Sequence, residues 1–160
     1  MFRGMTIRKK IVVLITTAVL IVALATWGLI YQVERGRLIE INNDMLTRYL
    51  TAFSDAVEQD GINGVSDSFQ MWGKAYPEGR ITVINSDGDV VFDSKANWAD
   101  LDNHYKRPEV VGAFASGSSS ELRYSKTQGQ WVNYKAQKVI LPGKEGGAAV
   151  VVRLSFPVED

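Results

Sequence analysis

Apolar residues run without a charge from Ile11 to Tyr31, then recur at every third or fourth position, and finally alternate with polar ones. Each period predicts a different element. As a helix, the uncharged run spans roughly 30 Å, the thickness of a bilayer's hydrocarbon core. Its polar side chains are Thr16, Thr17 and Thr26, with Trp27 and Tyr31 at the far end, where amphipathic rings favour the headgroup level. Arg3, Arg8, Lys9 and Lys10 crowd the near end. The positive-inside bias therefore predicts a cytoplasmic segment over 1–10, a transmembrane helix over 11–31 and an extracellular remainder. A rival reading takes Ala23-Leu24-Ala25 as the cleavage site of a signal peptide. The apolar run continues past it through Trp27, Leu29 and Ile30, which favours an uncleaved anchor.

From Gln32 to Gln59 the spacing predicts a helix continuing from the span, with Leu38, Ile41, Met45, Tyr49, Ala52, Phe53 and Ala56 as its apolar stripe. Gly61 is a natural stop. A shorter helix is expected over 64–76, with Val65, Phe69, Trp72 and Tyr76 on one face, ended by Pro77 to Gly79. A stripe on a helix that leaves a membrane suits both its own domain and a partner helix in a homodimer. Different turns are expected to serve each.

The period then changes to two. Arg80 to Asn85 reads as a strand with Ile81 and Val83 on one face, Ser86-Asp87-Gly88-Asp89 as a hairpin turn, and Val90 to Asp93 as the returning strand. A polar loop over 94–106 precedes a short helix from Arg107 to Ser116, with Pro108 near its first position, where its missing N–H costs nothing. Gly117 to Ser120 reads as a loose connection. Strands follow over 121–125, 131–140 and 148–156, joined at Gln128-Gly129 and at Pro142 to Gly147. Ala148, Val150, Val152, Leu154 and Phe156 share the face expected to meet the helices. The expected fold is α+β: a transmembrane helix running into a long helix, then a five-stranded antiparallel sheet with helices packed on one face.

Composition narrows the chemistry. Basic and acidic residues balance at 18 each in 160 residues. With four bases before residue 11, the remainder is acidic, so nothing points to nucleic acid. No cysteine is present, which excludes disulfide scaffolds, thiolate metal sites and thiol catalysis. His104 is the one histidine and no G-x-S-x-G elbow exists, so a serine hydrolase is disfavoured and no catalytic residue is assigned. Asn85, Asp87, Asp89 and Asp93 miss the spacing of a calcium loop, and one imidazole makes a thin metal site, so no metal ligand is assigned either.

The stretch from Arg80 to Ser94, built around Asp87-Gly88, resembles the central hairpin of extracellular PAS-like sensors, the single Cache domains of bacterial membrane receptors. Asp102-Asn103-His104, Arg107-Pro108-Glu109-Val110 and Arg123-Tyr124-Ser125 follow in order. That succession is similar to the sensor region of PhoR-type histidine kinases, over roughly residues 1 to 158. The resemblance implies a PAS-like sensor domain over 32–158 and residues 159–160 as the lead-in to a second transmembrane helix. It further implies a cytoplasmic kinase core, absent from this chain, that uses ATP and Mg and passes a phosphoryl group to a response regulator. No cofactor is expected in the chain itself. Membrane lipid, a second copy and an external small molecule or protein are the expected partners.

In such sensors the pocket lies between the sheet and the loop-plus-helix above it, here residues 94–117. The polar lining expected on that basis is His104, Arg107, Arg123, Tyr124 and Tyr134. Arginine suits a carboxylate or phosphate through its planar paired donors. Tyrosine gives a flat wall with a polar tip. A structural reading stands beside each: Arg107 starting its helix next to Glu109, Arg123 facing solvent, the tyrosines in the core. His104 offers a pH-sensitive latch near its ordinary pKa of about 6.5. A chemoreceptor or cyclase output, or an anchored or secreted binding protein without output, remains open beside the kinase reading.

Overall fold

A computed structural model describes residues 6–125, 129–143 and 147–158, without the side chains of residues 35, 38 and 39. Arg3, Gln128, the middle of the 142–147 turn and residues 159–160 therefore lie outside the described residues. The chain divides into two compact units, Met1–Glu40 and Ile41–Asp160. Helix α1 (Ile7–Ala75) runs through the first and into the second.

In the first unit, Ile7–Glu34 is the one helix among the described residues long and apolar enough to cross a membrane, and none of its apolar window is buried. Its threonines remove their own polarity. Thr16 donates to the Val12 carbonyl at 2.9 Å, Thr17 to Val13 at 2.7 Å, and Thr26 to Val22. Back-bonding of this kind satisfies a hydroxyl where no water is at hand.

In the second unit α1 is broken at Gly61, whose φ of 70° and ψ of 176° lie in a region that side chains strain to enter. The helix doubles back there. Tyr49 meets Tyr76 hydroxyl to hydroxyl at 2.6 Å, and the Phe53 ring lies 4.9 Å from Phe69. The two limbs are thus antiparallel, and the stop expected at Gly61 is the pivot.

Strands β1 (Arg80–Asn85), β2 (Val90–Asp93), β3 (Ser118–Ser125), β4 (Gln130–Ile140) and β5 (Ala149–Pro157) form one antiparallel sheet in the order β2-β1-β5-β4-β3. Ile81, Val83, Val150, Val152 and Leu154 face the α1 limbs, which contribute Leu46, Leu50, Val57, Val65, Phe69 and Trp72 to the main core. The opposite face carries helix α2 (Pro108–Ser116). There Ile84, Val90 and Val110 form one small cluster and Ala113, Ala136 and Val151 another.

Two expectations change. The buried stripe of the first α1 limb is rotated: Leu46, Leu50 and Val57 are at its centre, Tyr49, Phe53 and Ala56 flank it, and Ile41 is 59% exposed. The fold-back at Gly61, rather than the apolar count on one stripe, decides which face meets the sheet. Ser118, Ser119 and Ser120 begin β3 instead of forming a loose connection, because they pair with Gln137, Ala136 and Lys135 of the longer β4. Backbone pairing along an edge overrides the weak strand preference of serine.

Phe69 is fully buried between Phe53 and Phe92, at 4.9 and 5.4 Å between ring centroids. Phe69→Ala is expected to cost about 3–5 kcal/mol. Denaturant unfolding of the full chain measures this, and a loss below about 1 kcal/mol contradicts the core described here.

Candidate functional site

The α2 face of the sheet is polar toward one end. Side chains alternate along a strand, so Ile81 and Val83 facing α1 turn Arg80 and Thr82 to the other side. Register carries the pattern across: Arg80 pairs with Ser155, Thr82 with Arg153, Tyr134 with Ser155, and Arg123 with Val132. Above this surface lie the 94–107 loop, with a 3-10 turn at Trp98–Asp100, and the first turn of α2, whose N-cap is Arg107. The hairpin turn of β1 and β2 holds the loop down. His104 N–H donates to the Gly88 carbonyl at 2.7 Å, and Asn103 Nδ2 donates to the Asp87 carbonyl at 2.9 Å and to Asp89 Oδ1 at 2.8 Å. A Cβ at Gly88, where φ is 87°, would stand 2.5 Å from the Tyr105 nitrogen, so the close approach requires glycine. Asn85 Oδ1 closes the same turn by accepting from the Asp87 and Asp89 amides.

Between sheet, loop and helix is a cavity of about 610 Å³. Four arginines line it: Arg80, Arg107, Arg123 and Arg153. Arg80 Nε bonds both oxygens of Asp93, at 3.1 and 2.8 Å, and Thr82 Oγ1 donates to Asp93 Oδ2 at 2.9 Å. Arg153 Nη2 reaches Thr82 Oγ1 at 3.2 Å, and its Nη1 bonds Glu109 Oε1 at 3.0 Å. Arg123 Nη2 lies 3.5 Å from that same oxygen. Both guanidiniums sit over the Tyr134 ring, Arg123 at 4.1 Å from its centroid and Arg153 at 5.4 Å, within the range of cation–π attraction. Among the described residues Arg107 has no ion-pair partner. Arg123 Nε, Arg153 Nε, Glu109 Oε2 and His104 Nδ1 are buried without a hydrogen-bond partner. Buried polar atoms are rarely left so.

Of the side chains expected from sequence, His104, Arg107, Arg123 and Tyr134 all line this cavity. Tyr124 borders it, but alternation turns its ring to the other face, where it packs edge-on against Trp131 at 6.1 Å. Arg80, Arg153, Asp93 and Glu109 were not anticipated. A signal for Arg153 exists: it is a lone charge within the apolar strand Val150-Val151-Val152-Arg153-Leu154. A strand covered on both faces must give such a charge a partner.

No family model matches the chain, and no curated protein matches it. Its fold is similar to those of solved bacterial sensor domains. The Vibrio cholerae histidine kinase DctB sensor domain superposes with a TM-score of 0.54 at 17% identity, over 81% of this chain and 55% of that one. The sensory domain of the Campylobacter jejuni chemoreceptor Tlp3 gives 0.58 at 15% identity, over 77% of this chain and 56% of that one. The same Tlp3 domain with isoleucine bound gives 0.59 at 12% identity, again over 77% of this chain and 55% of that one. This chain spans little more than half the length of these domains. The likeness is one of fold, a PAS-like or Cache sensor fold, and it extends to kinase and chemoreceptor domains alike, without singling out the PhoR type.

His104 titrates outside the range expected of a latch near neutrality. Burial, then the positive charges of Arg153, Arg107 and Arg80, lower its pKa from 6.5 to about 4, with Asp93 opposing. Burial likewise lowers Arg153 from its ordinary value, and Glu109 works against that shift. The folded chain thus keeps His104 neutral where the unfolded chain protonates it. Stability should rise with pH between about 4 and 6.5 and be insensitive to this group above 6.5. Melting temperatures of the full chain and of His104→Gln between pH 4 and 8 measure this. The acid-side loss should shrink in the variant, and equal loss in both contradicts a neutral buried His104.

Proposed function

We propose that this chain is a membrane-anchored sensor whose PAS-like unit takes up a small ligand bearing a carboxylate or phosphate in the arginine-lined cavity. The observation that carries the reading is the convergence of Arg80, Arg107, Arg123 and Arg153 on one cavity, with only Asp93 and Glu109 paired to them among the described residues. Planar guanidiniums stacked on an aromatic ring and short of acceptors suit an oxyanion. Isoleucine and valine, seen in the Tlp3 domain, carry a carboxylate. His104, Arg107, Arg123 and Tyr134 are the ligand-facing residues in this reading, with Tyr124 at the margin.

The apolar helix anchors the chain in lipid with its N-terminus inside, and the cue is relayed through it to a cytoplasmic output. A histidine kinase is the output we assign, on the strength of the Arg107-Pro108-Glu109-Val110 succession, acting as a homodimer upon a response regulator. A chemoreceptor is the second reading, since the fold is shared with the Tlp3 domain as it is with the kinase DctB sensor domain.

Calorimetric titration of the full chain in non-ionic detergent with acetate, amino acids and inorganic phosphate tests the site. At least one should bind, and Arg123→Gln should weaken it by roughly tenfold or more, the worth of a charged hydrogen bond. Arg123 keeps 25% of its side chain exposed, so the variant should fold. No binding by any of these compounds, or unchanged affinity in the variant, contradicts the assignment.

A further inference from the structure

Glu109 sits between the cavity arginines without lining the cavity itself. It is the second residue of α2, and its side chain is wholly buried. Its Oε1 serves two guanidiniums, at 3.0 Å from Arg153 Nη1 and 3.5 Å from Arg123 Nη2. Its Oε2 has no partner, and neither arginine's Nε has one. A carboxylate facing one arginine normally engages it through two parallel bonds. Here a single oxygen is divided between two forks, and each fork keeps an unused donor. The pairing is therefore incomplete on both sides, and an oxyanion that took the place of Oε1 would find Arg123 Nη2 and Arg153 Nη1 already converged. The rest of the α2 contact is Val110, Ala113 and Phe114 against Ile84, Val90, Leu101, Ala136 and Val151, with Gly112 close against Ser119 of β3.

Resting on the reading that this cavity binds an anion, we infer that Glu109 is a built-in occupant of the site, which an external carboxylate or phosphate displaces from Arg123 and Arg153, loosening the hold of α2 on the sheet. A ligand shifts a conformation only by what it binds differently in the two states. Here the difference is the tie between Glu109 and the arginines, present without ligand and surrendered with it. The chemistry of the ligand is thereby converted into movement of an element remote from α1. A residue that merely holds the arginines in place would act in the opposite sense, since its loss would spoil the site.

Two measurements on the full chain in non-ionic detergent, with acetate and inorganic phosphate as probes, decide between these roles. The first is calorimetric affinity for wild type and Glu109→Gln, which keeps the shape and removes the charge. Displacement predicts roughly tenfold tighter binding in the variant. The second is hydrogen exchange of the α2 amides in wild type, which should quicken severalfold when the probe saturates. If Glu109→Gln fails to fold, the wild-type exchange alone decides. Weaker binding in the variant, or α2 amides that slow or stay unchanged in wild type, overturns the displacement and leaves the anion site standing. If neither probe, nor any of the amino acids named above, binds wild type or variant, the site and the displacement fall together.

Discussion

The pairing of Arg153 with Glu109 is the constraint on which the second unit's polar face depends. Arg153 stands on β5, between β1 and β4, with 4% of its side chain exposed, and Glu109 is wholly buried. Neither charge could stay there alone, since an unpaired buried ion costs several kcal/mol. The pair fixes the start of α2 above the middle of the sheet. With α2 fixed, Arg107 and the loop carrying His104 fall over the end of the same surface, and the cavity is what remains between them. Thr82 and Asp93 extend the network to Arg80, so the cavity wall is one connected set of charges.

Most of the architecture is legible in the sequence because it follows from local rules. The Asp87-Gly88 turn, the alternation through β1 and β5, and the stop at Gly61 each depend on neighbours along the chain. Leu46, Leu50 and Val57 were not legible as the centre of the stripe. Apolar residues ring more than one side of that limb, and the fold-back chooses among them. Ser118 to Ser120 were hidden for a similar reason, their strand being imposed by β4.

The site divides along the same line. His104, Arg107, Arg123, Tyr124 and Tyr134 are the lining that the resemblance to a sensor domain implies, and the cavity gathers all of them but the ring of Tyr124, which packs on Trp131. In the sequence Glu109 is only a neighbour of Arg107, and Arg153 and Arg80 are only strand residues. Their meeting depends on the crossing of β5 beneath α2, 44 residues apart in sequence for Arg153 and Glu109. The same burial moves His104 away from the neutral titration that its residue type alone suggests.

The side-chain Nε–H resonances of the arginines report most directly whether Arg123 and Arg153, which line the cavity, take an oxyanion. In the full chain labelled with nitrogen-15 at arginine, titration with inorganic phosphate should move the Arg123 and Arg153 signals together along one saturating curve, leaving Arg8 and Arg37 in place. Signals for Arg123 and Arg153 that stay fixed at saturating phosphate, or that move no more than those of Arg8 and Arg37, would contradict the account.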